Sequence, residues 1–241
     1  MDALAHSGVP ADIRDLYEVH EWRNAITVLA GSYSDEWRDI LAVLREFRLS
    51  KSHLVKDTAP SGSSDADGDA ATAAGGGNKS KVAKLLDQKF MNLGWAETSF
   101  DTNVTVTARR RLKGKKKGIN PPTQAVDSLE YDAPTHNVDC YKNHVALEVE
   151  WNNKNPFFDR DLNNFRLLFE LRAIGVGVVI TRCDDLQQLF ESLIPKTDAK
   201  QRYGSTTTHM SKLLPLLRGG GGGGCPILVF GIRPALYDPN S

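Results

Sequence analysis

Cysteine is scarce and scattered in this chain: Cys140, Cys183 and Cys225 form no CxxC pair and no even set. That excludes a disulfide framework and the usual cysteine-based zinc and redox centres, and reduced, partly buried thiols are expected. Long apolar runs are missing too, none approaching the roughly 18–20 residues of a membrane-spanning helix. The N-terminal MDALAHSGVPADIRD has neither the basic nor the apolar stretch of an export signal. A soluble, cytoplasmic protein with no membrane contact is therefore expected. Nor does one sign of charge dominate, since 30 Lys and Arg balance 30 Asp and Glu. That balance argues against a protein that coats nucleic acid through a broad basic footprint.

What is present, in 241 residues of which 40% are hydrophobic, suffices for one substantial core. From Ile13 to Leu49 apolar residues recur at helical spacing (Trp22, Ile26, Leu29; Trp37, Ile40, Leu41, Leu44), which predicts two helices parted at Gly31. Ser34 is placed to cap the second, with Asp35 and Glu36 in its first turn. From Thr58 to Ser80 the composition falls to Ala, Gly, Ser, Asp and Thr, a flexible insertion by its chemistry. The organisation read from this is an N-terminal helical part (1–57), an insertion (58–80) and the main core (81–241). VAKLLDQKFMNLGW predicts a helix with Leu85, Leu86, Phe90 and Leu93 as its stripe, stopped by Gly94, with Trp95 returning to the core.

FDTNVTVTARRRL alternates Val104 and Val106 with threonines, so a strand leads into Arg109, Arg110, Arg111, Lys113, Lys115, Lys116 and Lys117. This local basic run is either a DNA-contacting arm or a solvated loop. Residues Ile119 to Pro134 read as an irregular connection. VDCY, a turn at Lys142 and Asn143, and HVALEVEW then form a hairpin. RDLNNFRLLFELRAIG is an amphipathic helix, with Leu162, Phe165, Leu168, Phe169 and Leu171 on its stripe. VGVVITR is nearly all apolar, as in a strand covered on both faces. A helix from Asp185 to Ile194, a polar loop from Lys196 to Thr208, a helix from Met210 to Leu217 and a strand PILVFGI complete an α/β fold, a central mixed β-sheet flanked by helices. Gly219 to Gly224 end in Cys-Pro before a strand, whereas a P-loop opens a helix with GK[ST]. A flexible connector and no nucleotide cofactor are expected there.

Asp139, Glu148 and Glu150 form the pattern D-x8-E-x-E across the hairpin. Residues i and i+2 of a strand share a face, so Glu148 and Glu150 point one way and Leu147 and Val149 the other. If Asp139 faces them from the neighbouring strand, three carboxylates enclose a site of hard oxygen ligands, suited to magnesium with a substrate phosphate. Phosphodiester hydrolysis needs such an arrangement. The same residues also suit a half-exposed amphipathic strand, although like charges at close range destabilise unless a cation lies between them.

VDCYKNHVALEVEW followed by NNKNPFFDRDLNNFRLLFELRAIGVGVVITR resembles the catalytic core of the BglII/BstYI family of restriction endonucleases, of the PD-(D/E)XK nuclease fold. The KLLDQKFMNLGW segment, the RYGSTTTHM loop and the terminal PILVFGIRP strand follow in the family's order. The resemblance implies a type II enzyme that hydrolyses double-stranded DNA with Mg2+ as a homodimer, at a short palindrome centred on GATC. It implies that Asp139 and Glu148 bind the metal. Glu150 stands where most of the wider fold has lysine, and either binds metal or acts as general base. Asn152, Asn153, Lys154 and Asn155 fall where the family reads DNA, and they either pair with bases or build a turn. Arg202, Tyr203, Ser205 and Thr206 are further candidates, as are Arg109, Arg110 and Arg111 for DNA and Glu97 as an additional acid. The helix from Asp161 to Arg172 and the N-terminal helices are the expected dimer elements, unless their stripes are core. Alternatives are a repair-type nuclease of the same fold, which would cut without sequence preference, and a non-catalytic DNA-binding relative.

Overall fold

The computed structural model describes residues 8–54, 79–112, 123–132, 135–195, 203–204 and 206–240. Two compact units make up the chain, Met1–Glu97 with Val138–Ser241, and Thr98–Asn137. The larger unit carries a six-stranded sheet of order β1-β8-β7-β6-β5-β2. Its strands are β1 (Tyr17–Trp22), β2 (Ala96–Thr98), β5 (Val138–Lys142), β6 (Val145–Val149), β7 (Val176–Arg182) and β8 (Ile227–Ile232), β3 and β4 belonging to the smaller unit. β6, β7 and β8 are parallel, while β1 joins β8 and β5 joins β6 antiparallel. Every residue of β6, β7 and β8 is buried, which accounts for their near-continuous apolar sequence.

Parallel neighbours cannot be joined by a tight turn. The chain accordingly crosses from β6 to β7 through α6 (Pro156–Glu170), and from β7 to β8 by way of α7 (Leu186–Leu193) and α8 (Met210–Arg218). The stripe Phe158, Leu162, Phe165 and Leu168 of α6 is spent on this chain's own core, whereas Phe169 is only half-buried and Leu171, just past the helix end, is exposed. The β5–β6 hairpin turns at Asn143 and His144, one residue later than expected, with φ of 43° and 66°. Asparagine adopts that left-handed conformation more readily than most residues, which places it at such turns.

Instead of two helices parted at Gly31, the chain forms α1 (Ala11–Leu16), then β1, then α2 (Ala25–Ser32) and α3 (Ser34–Glu46). YEVHEW buries Tyr17 and Val19 alternately and pairs with β8, so an edge of the sheet overrides the helical spacing. Gly31 lies within α2, and the break falls at Tyr33. Ser34 is the first residue of α3 and caps nothing, whereas Asp35 and Glu36 do occupy its first turn. This region packs on the sheet: Tyr17 Oη donates to the Leu44 carbonyl at 3.0 Å and Trp37 stacks on Phe230 at 6.4 Å.

After the short α4 (Lys51–Leu54), α5 (Lys81–Met91) begins at Ser80, whose Oγ accepts from the Ala83 amide. It buries Val82, Ala83, Leu86, Asp87 and Phe90. Leu85 is only half-buried and Leu93 is exposed, so the expected stripe is rotated by about a residue. Gly94 at φ +85° stops the helix, and Trp95 packs edge-on against Phe90 at 5.3 Å. The expected insertion lies outside the described residues as far as residue 78.

The six glycines are not a loose connector. They form an ordered turn, with the Gly221 amide bonded to the Leu216 carbonyl at 2.9 Å and Gly223 to Gly220 at 2.9 Å. A Cβ on Gly222 would meet Ile227 at 2.4 Å, and one on Gly223 would meet Arg166 at 2.6 Å. Close packing is the physical reason for glycine here.

In the smaller unit β3 (Asn103–Arg111) pairs antiparallel with β4 (Thr123–Asp132), so the expected irregular stretch 119–134 contains a strand. Leu129 and Tyr131 alternate with Ser128, Glu130 and Asp132 there, and the prolines at 121, 122 and 134 fall outside β4. The register shifts at Ala108 and Arg109. No helix among the described residues is long and apolar enough to cross a membrane.

Candidate active site

Glu148 and Glu150 lie at the C-terminal end of β6, where the loops after parallel strands converge and where open α/β sheets bind ligands. Cys140 pairs with Leu147, so Asp139 stands one step on, across from Glu148. The Asp139 amide donates to Glu148 Oε2 at 3.4 Å, and Asp139 Oδ2 accepts from the Val149 amide at 3.0 Å. Asp139 thus faces Glu148 from the neighbouring strand. Glu150 continues the strand's hydrogen bonding, its amide donating to the Ile180 carbonyl at 2.9 Å.

A fourth acid joins them that the spacing argument missed. The crossover through α6 brings Asp161 back over the strand end, where it and Glu148 present carboxylate oxygens within 4.8 Å of one another. Glu148, Glu150 and Asp161 are each 1% exposed. The signal for Asp161 was available in the sequence, since it lies in the apolar stripe of α6, three residues after Phe158 and four before Phe165. An aspartate on a buried stripe requires a reason.

Burial, followed by the charges of Asp161, Asp139 and Glu150, pushes the Glu148 carboxyl well above its usual range. Burial, and then Asp161, raise Glu150 to about 9, opposed by a hydrogen bond from Asn153 and by the Arg160 guanidinium. Asn153 Nδ2 donates to Glu150 Oε2 at 2.8 Å. Arg160 bonds Asp161 at 2.9 Å and lies 3.7 Å from Glu150, while Lys79 bonds Asp139 at 2.6 Å. Buried carboxylates in this number favour a further cation, and their oxygens are hard donors that suit a divalent ion such as Mg2+.

A family model described as restriction endonuclease BglII/BglIII matches residues 17–232, most of the chain. The chain belongs to the BglII/BglIII restriction endonuclease family. It is accordingly a nuclease of the kind that hydrolyses DNA, and its mixed sheet flanked by helices is that of a restriction endonuclease. Among the curated proteins none matches the chain.

Within this endonuclease the expected DNA-reading residues divide. Asn153 is turned toward Glu150, and its backbone is tied to Thr208, whose amide donates to the Asn153 carbonyl at 2.8 Å. Asn155 braces the same junction: its backbone amide donates to the Thr206 carbonyl at 3.1 Å, and its side-chain amide lies against the Thr206 and Thr207 carbonyls. Both therefore build the loop. Lys154 is exposed, and Asn152, at φ 67°, keeps a buried Oδ1 that accepts from no group among the described residues. Thr206 is exposed.

Tyr203 is corrected: it is 4% exposed, with its ring 4.2 Å from Phe190 and 6.3 Å from Trp151, and so serves the core rather than a surface contact. Arg202 and Ser205 lie outside the described residues. Arg182, not singled out in the sequence, is buried at the end of β7 and holds this loop by donating to the Tyr203 carbonyl at 3.0 Å and Thr207 Oγ1 at 2.8 Å. Glu97 is exposed on β2, and Arg109, Arg110 and Arg111 are exposed at the end of β3.

Proposed function

We propose that the chain is a type II restriction endonuclease that uses Mg2+ to hydrolyse double-stranded DNA in the cytoplasm, at a short palindrome with GATC at its centre. A palindromic target has two-fold symmetry, so the active form is a homodimer with one site per strand. The observation that carries the reading is the meeting of Asp139, Glu148, Glu150 and Asp161 at one strand end, three of them 1% exposed. A fold that buries so much like charge fits a site completed by metal and phosphodiester.

Asp139 and Glu148 would hold the metal, with Asp161 beside Glu148 adding to its negative field. When bound, Mg2+ supplies an acidified water and neutralises charge on the scissile phosphate. Glu150 is a ligand or the general base that takes the proton of the attacking water; its raised pKa, about 9, suits proton acceptance once a cation lowers it. Asn153 fixes Glu150 in orientation, and Arg160 limits the repulsion between Glu150 and Asp161. Lys154, Asn152 and Thr206, on the loops at the same strand end, face the DNA. Arg109, Arg110 and Arg111 serve phosphates from the ribbon, and Glu97 is kept as an outlying acid.

Digestion of a long unmethylated DNA with Mg2+, with fragment ends sequenced, tests this directly. Discrete fragments sharing one palindrome, lost in Glu148→Ala, support it. Cleavage without sequence preference indicates a repair-type nuclease, and cleavage that survives Glu148→Ala refutes the assigned site.

A further inference from the structure

Asp139 has two carboxylate oxygens with different partners. Oδ2 accepts from the Val149 amide at 3.0 Å and is held by the strand, which leaves Oδ1 for another partner. On Oδ1, at 2.6 Å, is the ammonium of Lys79. The same ammonium reaches Asp87 Oδ2 at 2.9 Å, so Lys79 spans two carboxylates, one on the strand and one on α5. It immediately precedes Ser80, the cap of α5, and its side chain is 38% exposed.

We infer that the Lys79 ammonium is a resident counter-ion which a divalent metal must displace from Asp139, so that Lys79 sets how tightly the site takes metal. An ammonium and a divalent cation cannot share Oδ1, because they would stand a few ångströms apart and repel strongly in a partly buried site. Asp87 makes the exchange feasible. It is buried, 6% exposed in its side chain, and its other oxygen is approached by the Cys140 thiol at 3.8 Å. Lys79 can therefore leave Asp139 without leaving its second partner, and Asp87 is never left as a lone buried charge. Lys79 acts through Asp139 and is a positioning residue, not a catalytic one.

The inference rests on Asp139 being a metal ligand, and the experiment separates the two. Ca2+ is titrated calorimetrically, without DNA, into the native chain, Lys79→Met, Lys79→Arg and Asp139→Asn. Lys79→Met should bind ~10-fold more tightly, as expected for loss of one adjacent competing charge, and Lys79→Arg should bind like the native chain. On the native protein, whose folding is not in question, Ca2+ should raise modification of Lys79 by an amine-reactive reagent several-fold relative to Lys142, which is bonded to Asp39. Unchanged or weaker binding by Lys79→Met, or modification that is unchanged or reduced by Ca2+, overturns the inference. Native affinity in Asp139→Asn instead overturns the assignment of Asp139 to the metal.

Discussion

Replacing Glu150 by glutamine removes an ionisable carboxyl that the fold buries while keeping the oxygen that accepts from Asn153. Burial and Asp161 raise the native carboxyl from 4.5 to about 9. Between those two values the native state holds a proton that the unfolded chain has released, so native stability falls as pH rises through the window and levels off above it. Each pH unit in the window costs at most ~1.4 kcal/mol, and structural relaxation and water penetration reduce this. We expect Glu150→Gln to match the native chain near pH 5 and to exceed it by ~2 kcal/mol at pH 8 without metal, ~4–8 °C in melting temperature for a chain of this size. Urea unfolding at fixed ionic strength in EDTA, across pH 5 to 8, measures the difference. On the proposed reading in which Glu150 is a metal ligand, adding Mg2+ should stabilise the native chain more than the variant. A stability difference that does not grow with pH, or a variant less stable than native at pH 8, would refute the reasoning.

Asn153→Ala should lower the cleavage rate ~10–100-fold, the usual effect of freeing a metal-site carboxylate from its supporting hydrogen bond, while affinity for DNA in a binding assay stays unchanged. Changing Arg109, Arg110 and Arg111 together to glutamine should flatten the plot of log affinity against log salt by ~0.9 for each phosphate no longer neutralised; an unaltered slope means that the ribbon end does not touch DNA. Gly31 lies in α2 with nothing within 4 Å of a built Cβ, so Gly31→Ala should stabilise by ~0.5–1 kcal/mol. Gly223→Ala, at φ +57° and with a Cβ 2.6 Å from Arg166, should destabilise by ~1–2 kcal/mol. Thermal unfolding reads both.

Wherever local pattern and final environment agree, the sequence was legible. VGVVITR reads as a doubly covered strand and PILVFGI as a strand, both are buried strands of the sheet, and the i, i+2 placement of Glu148 and Glu150 follows from strand geometry alone. It failed where a tertiary partner overrode local preference. YEVHEW fits a helical pattern but becomes an edge strand because β8 offers it an open row of hydrogen-bonding groups. The glycine run looks flexible until Ile227 and Arg166 press against it. Tyr203 has the composition of a surface loop around it, yet Arg182 draws that loop inward from 21 residues away. The spacing of Asp139, Glu148 and Glu150 on one hairpin allowed them to form a group, and the pairing of β5 with β6 brings Asp139 across from Glu148. Asp161, Lys79 and Arg160 joined them only because crossover and cap geometry return distant backbone to one strand end, a placement set by packing between elements and not by any spacing along the chain.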